Sequence, residues 1–324
     1  MAATEFLHVL STRVGIGVYD EGWFDYRLRL FESVTVPSMA AQTSQDFTWL
    51  LVVDAKMPPR ARSRFDAVVA PLANVRVREV EFKTDFRGAV VEWCQAEAAR
   101  RGLSRVLTSR LDDDDALRVD AFERLQSEAA DAIAAGHSDL AVFSLNLGCM
   151  WSPSHRRGYT RYHDSHSLGL SLLEPAEAVE CVYSRPHREI KQRYAPRGAY
   201  IRGVDGGTRW WLYAAHAIAD SDKGDGARRD KILKHRYGYH LDDDLLAGFG
   251  LDPAAVAALA EAGEPTPTAP TKFLSLRAME TERRIKALRT ELAGASFLRR
   301  RLLTQRLARL ESEREKAGSG IVTR

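Results

Sequence analysis

Four consecutive carboxylates, Asp112-Asp113-Asp114-Asp115, are the residues in this chain best suited to chemistry. Carboxylates this close repel one another, and a cation that neutralises part of the charge relieves the repulsion. In an extended loop, alternate residues point the same way, so Asp112 and Asp114 can share one hard cation while also reaching a ribose. Oxygen ligands of this kind suit Mg²⁺ or Mn²⁺, which keep open positions for phosphate oxygens. The plainer reading is an acidic cluster favoured by the dipole of a following helix, but four adjacent charges carry too much repulsion for that role alone. A second run, Asp242-Asp243-Asp244, follows no clear strand and leads into Leu245-Leu246, so it reads as a solvated helix start.

The first run has to be positioned by a sheet. Phe6–Leu10 and Trp49–Val53 are near-continuous apolar runs, as expected of strands buried on both faces of a parallel sheet. Val75–Val80 alternates, Arg105–Thr108 is a short strand, and Leu140–Leu145 is another apolar run. Between them, Phe24, Leu28, Phe31 and Thr35 recur at helical spacing until Pro37. Val91, Cys94 and Ala98 form a stripe ending at Arg100-Arg101-Gly102, and Asp120 with Glu123 is spaced like a capping box. Strands alternating with helices predict an α/β domain with a mostly parallel sheet, and place the Asp run at a strand's C-terminal end, where such sheets hold ligands. From about 150 to 240, turn residues, aromatics and histidines crowd together as short strands and loops.

Asp54 ends an earlier strand, and an Asp-x-Asp pattern after a buried strand resembles that of a GT-A glycosyltransferase. The stretch Trp23 to Phe31, then Pro37-Ser38, Gln42-Thr43, Asp46 to Trp49 and Thr108 to Asp112, resembles the bacterial putative rhamnosyltransferase family over about residues 5–220. The resemblance implies a GT-A, Rossmann-like, mostly parallel sheet flanked by helices, here followed by a long C-terminal helix. It also implies metal-dependent transfer of a sugar from a nucleoside-diphosphate donor to a hydroxyl of a glycan, lipid-linked or small-molecule acceptor. Carried over by position, Thr12 and Arg13 line the nucleotide pocket, Asp54 contacts base or ribose, Arg110 lies near the diphosphate, and Asp112 and Asp114 hold Mn²⁺ or Mg²⁺. Asp113 stands where the family usually has Asn, and Asp115 is an alternative second ligand. His216, in Trp211-Leu212-Tyr213-Ala214-Ala215-His216, resembles the distant histidine that completes metal coordination, with a packed histidine as the competing reading. Ser171-Leu172-Leu173-Glu174 resembles another family segment. Glu174 and Glu189, with Asp164 behind them, are candidates for the general base, and Glu174 or His187 for orienting the acceptor. For each carboxylate a solvated or ion-paired role competes. Trp151, Tyr159 and Tyr162 offer either sugar-stacking faces or core packing.

Composition narrows the remaining classes. The 324 residues are 45% hydrophobic and 28% charged, ordinary for a globular protein and too apolar for a disordered one. No window approaches a membrane span, the start of the sequence has no basic n-region, and Cys94, Cys149 and Cys181 show neither metal nor disulfide spacing, so a cytoplasmic protein is expected. Residues 271–316 carry a balance of +7 and residues 1–270 one of −5, and nothing in the body suggests a nucleic-acid surface. The organisation reads as a catalytic domain over 1–250, a short helix and Pro-rich linker over 251–270, a basic amphipathic helix over 271–316 and a frayed end over 317–324. Ile285, Leu288, Leu292 and Ala295, then Leu303, Leu307 and Leu310, follow coiled-coil spacing. That predicts a homo-oligomer through this helix, a peripheral contact with the inner face of a membrane, or docking on the acidic body. Two other classes compete with transfer: a haloacid-dehalogenase-type phosphatase, which needs its Asp pair near the first strand, and a non-catalytic carbohydrate-binding scaffold.

Overall fold

The computed structural model describes residues 6–137, 140–218, 227–264, 281 and 284–318. Its strands are β1 (Leu7–Val14), β2 (Thr48–Asp54), β3 (Val75–Val80), β4 (Arg105–Arg110), β5 (Ala116–Leu117), β6 (Ala141–Leu145), β7 (Leu147–Ser152), β8 (Arg157–Tyr162), β9 (Ser171–Pro175), β10 (Tyr200–Val204), β11 (Trp211–Ala214) and β12 (Tyr239–His240). They form two sheets, a seven-stranded one ordered β10-β6-β9-β4-β1-β2-β3 and a five-stranded one ordered β12-β8-β7-β11-β5. β4, β1, β2 and β3 run parallel, as do β6 and β10, but β9 enters antiparallel between β4 and β6. The second sheet is mixed too, with only β7 and β11 parallel.

The expected single, mostly parallel GT-A sheet is therefore not what forms. The reason lies at Asn146, the only residue between β6 and β7, where the chain passes from one sheet into the other. Beyond it β7, β8, β11 and β12 pair with one another in the second sheet, while β9 and β10 return to the first.

The helices are α1 (Glu21–Leu30), α2 (Val36–Ala40), α3 (Pro59–Val69), α4 (Phe86–Arg101), α5 (Ala121–Ala134), α6 (Ile190–Tyr194), α7 (Ala227–Leu233), α8 (Asp243–Ala247), α9 (Pro253–Ala262), α10 (residues 284–293) and α11 (Phe297–Gly318). Phe24, Leu28, Phe31, Phe65, Phe122 and Leu125 bury one side of the large sheet, while Phe86, Val90, Cys94 and Ala98 of α4 bury the other. Pro37 does not stop the first helical stretch. A wide turn over Phe31–Thr35, with Val36 N–H bonded to Phe31 O, leads into α2, so the missing proline amide falls within that helix's first turn. Gly102 ends α4 at φ +67°, as its position predicts. Asp120 makes no capping bond, because its carboxylate instead takes Arg118. Asp242 caps α8 by accepting Leu245 N–H at 2.8 Å.

The expected long C-terminal helix is two helices, broken after residue 293 around Gly294 and folded back on each other through Arg289–Glu311 and Arg299–Glu291. Residues 271–280 lie outside the described residues, as do those of the linker from 265 on. Ile285 is buried, and Lys286 pairs with Glu81 and lies 5.6 Å from the Phe82 ring centre, so α10 rests on the body. Among the described residues no helix is long and apolar enough to cross a membrane.

Candidate functional site

The Asp run leaves the C-terminal end of β4, near the centre of the large sheet. Asp112 is half-buried, whereas Asp113, Asp114 and Asp115 are buried. The cation that offsets their charge is built in. Arg27 of α1, 4% exposed, donates through Nε to Asp113 Oδ1 at 3.0 Å and through Nη1 to Asp114 Oδ2. His216, fully buried just beyond β11, places Nε2 at 2.9 Å from the same Asp114 oxygen and 3.2 Å from Arg27 Nη1. Its Nδ1 is buried without a partner among the described residues. The cheaper neutral tautomer therefore carries its proton on Nε2, because a bare lone pair costs less to bury than an unsatisfied N–H. Asp115 Oδ1 accepts Ala214 N–H at 2.7 Å. Burial, with the charges of Asp114 and Asp112, raises the proton affinity of Asp115 well above the ordinary carboxylate range.

The family-like residues upstream build the support for this loop. Ser38 Oγ donates to Leu117 O at 2.8 Å and accepts Leu117 N–H at 2.9 Å. Gln42 donates to Arg118 O at 2.9 Å and accepts Phe122 N–H at 3.1 Å. Thr43 N–H donates to Val119 O at 2.7 Å. These bonds fasten the segment just after the Asp run to α2 and its exit.

The other candidates are spread more widely. Thr12 is buried within β1 and accepts the Trp49 indole N–H at 3.0 Å. Arg13, half-buried, lies 6.0 Å from the Phe86 ring centre. Asp54 faces inward, accepting Gly17 N–H at 2.9 Å and Lys56 N–H at 2.7 Å, so it shapes the loop after β1 rather than presenting a free edge. Arg110 ends β4 with its guanidinium 4.4 Å from the Tyr183 ring centre, and its Nε is buried with no partner.

Glu174 does not join the Asp run. It pairs with Val106 at the far end of β4, accepts Glu180 and Cys181 N–H groups at 3.1 and 3.0 Å, and burial pushes its carboxyl up to about 7. Glu189 is exposed on a surface turn, and Asp164, also exposed, lies 3.9 Å from His163 Nδ1. His187 sits instead with His163 and His166, at ring-centre distances of 6.1 and 6.4 Å. Trp151 is core, Tyr159 stacks on His235 at 3.8 Å, and Tyr162 is open to solvent.

Two features escaped the sequence reading. Arg27 lies on the apolar Phe24–Leu28–Phe31 face, and a charge at that position was the available signal. His163 and His166, in one loop, join His187 of another only through the fold.

Among the described residues no group of three or more His, Cys, Asp or Glu side chains is already arranged around a metal position. The donor chemistry still suits a hard cation at two residues. Asp112 is accessible and carries no ion pair among the described residues, and Asp114 lies beside a histidine whose Nδ1 is orphaned. Any such cation shares the cluster with Arg27.

The family described as "Putative rhamnosyl transferase" matches residues 10–200 of the chain. No curated protein matches it. Among solved structures, the chain is similar to Staphylococcus aureus TarS at 10% identity and a TM-score of 0.37, covering 64% of this chain and 37% of that one, so it spans little more than a third of that protein. Against TarS 1–349 the identity is 12% and the TM-score 0.37, covering 98% and 93%. A Bacillus anthracis protein titled putative glucose-1-phosphate thymidylyltransferase gives 12% and 0.36, covering 64% and 88%. Likeness this distant bears on neither the site nor the activity.

Proposed function

Because the chain belongs to the putative rhamnosyl transferase family, we propose that it moves a sugar from a nucleoside-diphosphate donor to a hydroxyl of a glycan, lipid-linked or small-molecule acceptor. The observation that carries this reading is the convergence of Arg27 and His216 on Asp114, at the C-terminal end of a central parallel strand. Open α/β sheets place ligands at such an end.

Breaking the anomeric bond leaves negative charge on the departing diphosphate. Asp112 and Asp114 would hold a Mg²⁺ or Mn²⁺ ion, and that ion supplies Lewis-acid stabilisation of the leaving group. Arg27 keeps Asp113 neutralised, so the ion would rest on two carboxylates rather than three. His216 fixes the orientation of Asp114 from behind, as partners of ligating carboxylates do. Arg110, with an unused N–H and its plane on Tyr183, is suited to a phosphate oxygen. Asp115 holds β11 against the loop through Ala214. Glu174 has a structural place at the other end of β4, so of the three carboxylates considered as base, Asp164 and Glu189 are the two with solvent access.

A thermal-shift panel of UDP-, GDP- and dTDP-sugars with and without Mn²⁺ tests the reading, since a ligand bound only by the folded state raises Tm. One donor class should raise Tm in a manner that needs both the cation and Asp112. A phosphatase or a carbohydrate-binding scaffold would show no cation-linked response to nucleotide sugars.

A further inference from the structure

A second cluster of polar groups lies along β11, the strand that precedes His216. His166 stacks on Trp211 at 4.0 Å between ring centres and meets Tyr213 edge-on at 5.6 Å. His163 lies 5.5 Å from His166, and His187 closes the trio. From Trp211 the chain continues to Ala214 on Asp115 and to His216 on Asp114. At ~3.3 Å per residue the backbone from Trp211, which carries His166, to His216, which reaches Asp114, spans at most about 17 Å.

Backbone bonds set the chemistry of two of these rings. His163 Nδ1 accepts Ser165 N–H at 3.1 Å, and His166 Nδ1 accepts Leu168 N–H at 3.3 Å. With Nδ1 used as an acceptor, each neutral ring carries its proton on Nε2. These nitrogens can donate a hydrogen bond but have no lone pair for a metal, so His163 and His166 are set up as donors rather than as cation ligands. Burial and the nearby positive charges lower the proton affinity of all three rings, that of His166 well below the ordinary range and that of His187 to about 4. Those charges belong to Arg110, Arg161, Arg188 and Lys191, and among the described residues the carboxylate that opposes them at His163 is the exposed Asp164. Among the described residues, none of the three arginines has a carboxylate partner, and Arg110 Nε is buried with no bond at all. Donors and unpaired guanidiniums gathered in one place, with the exposed Asp164 against them, match an anion with several acceptor oxygens.

We propose that His163, His166, His187 and Arg110, with Arg161 and Arg188 at the rim, bind a phosphate group. The group belongs either to the donor's diphosphate or to a phosphate carried by the acceptor. The proposal borrows from the assigned reaction only the names of these two carriers.

Calorimetric titration of the full chain with pyrophosphate, in the absence of divalent cations, tests it. Wild type should bind, and His187→Gln and Arg188→Ala should each weaken binding about tenfold or more with Tm unchanged. The ¹⁵N signals of His163 and His166 should move on titration, whereas Asp112→Asn should leave pyrophosphate affinity intact. If nucleoside-diphosphate affinity falls in parallel in the two variants, the phosphate is the donor's. If pyrophosphate still binds protein saturated with nucleoside diphosphate, it is the acceptor's. Equal pyrophosphate affinity in wild type and both variants, or imidazole signals that stay still, would overturn the site. Because no turnover is measured, a protein inactive toward every nucleotide sugar could still pass this test, which separates the two failures.

Discussion

Arg27 Nη1 and His216 Nε2 are 3.2 Å apart and both reach Oδ2 of Asp114. A residue of the first helix and one 189 positions later thus meet on one carboxylate oxygen. The arrangement neutralises a run of carboxylates that could not otherwise be buried together, and it leaves Asp112, on the more open side, without an ion pair among the described residues.

Replacing Arg27 with Met should therefore be costly. It leaves Asp113 and Asp114 buried without their counter-charge, a loss on the order of 3–5 kcal/mol. Denaturant unfolding should show the drop, and Asp113→Asn added to Arg27→Met should restore part of it. A stability of the single variant equal to wild type would show that Arg27 does not carry this charge balance.

Asp112 and Asp114 should separate. Asp112 is half-buried, so Asp112→Ala should change stability by about 0.5 kcal/mol or less. Asp114→Ala strips an acceptor from both Arg27 and His216 and should cost about 1–3 kcal/mol. Both should lower transfer on the order of a hundredfold or more, if the leaving group is stabilised there. Melting curves beside initial rates distinguish the two effects.

Ser38→Ala removes a hydroxyl that both donates to and accepts from Leu117. Two buried backbone groups lose a partner, so a destabilisation of about 1–3 kcal/mol is expected. Because the bond lies next to the Asp run, kcat should fall more than the stability change alone explains. A rate unaltered by Ser38→Ala would separate this bond from the site.

Glu174 gives a pH signature. Its folded-state pKa, about 7, lies above the ordinary carboxylate value of 4.5, so the folded protein holds a proton that the unfolded chain releases first. Stability from this group is present below pH 4.5 and declines as pH rises toward 7, by at most about 1.4 kcal/mol per pH unit. Glu174→Gln should remove that slope from the stability–pH curve. Parallel curves for wild type and variant across this window would contradict the assignment.

What the sequence disclosed follows from how local each signal is. The β2 strand, the Gly102 cap and the Asp242 cap are written in neighbouring residues, and the structure reproduces them. The Asp run stood out as a candidate because repulsion between adjacent charges needs no fold to be recognised. Its neutralising partner did not, since Arg27 lies 87 positions from Asp114 and looks like one polar residue in an apolar stripe. The second sheet was hidden for a related reason: its strands are short and joined by loops whose pairing depends on contacts distant in sequence. The place of Glu174 was not legible, because β9 runs antiparallel to β4 and carries it away from the Asp run through pairing that the local sequence does not show.

Release of nucleoside diphosphate from a panel of UDP-, GDP- and dTDP-sugars, measured with wild type and Asp112→Asn at matched Tm, tests the central claim most directly. One donor class should be turned over in the presence of Mn²⁺ or Mg²⁺, with the rate falling on the order of a hundredfold in the variant. Turnover of that donor at the wild-type rate by Asp112→Asn would contradict it.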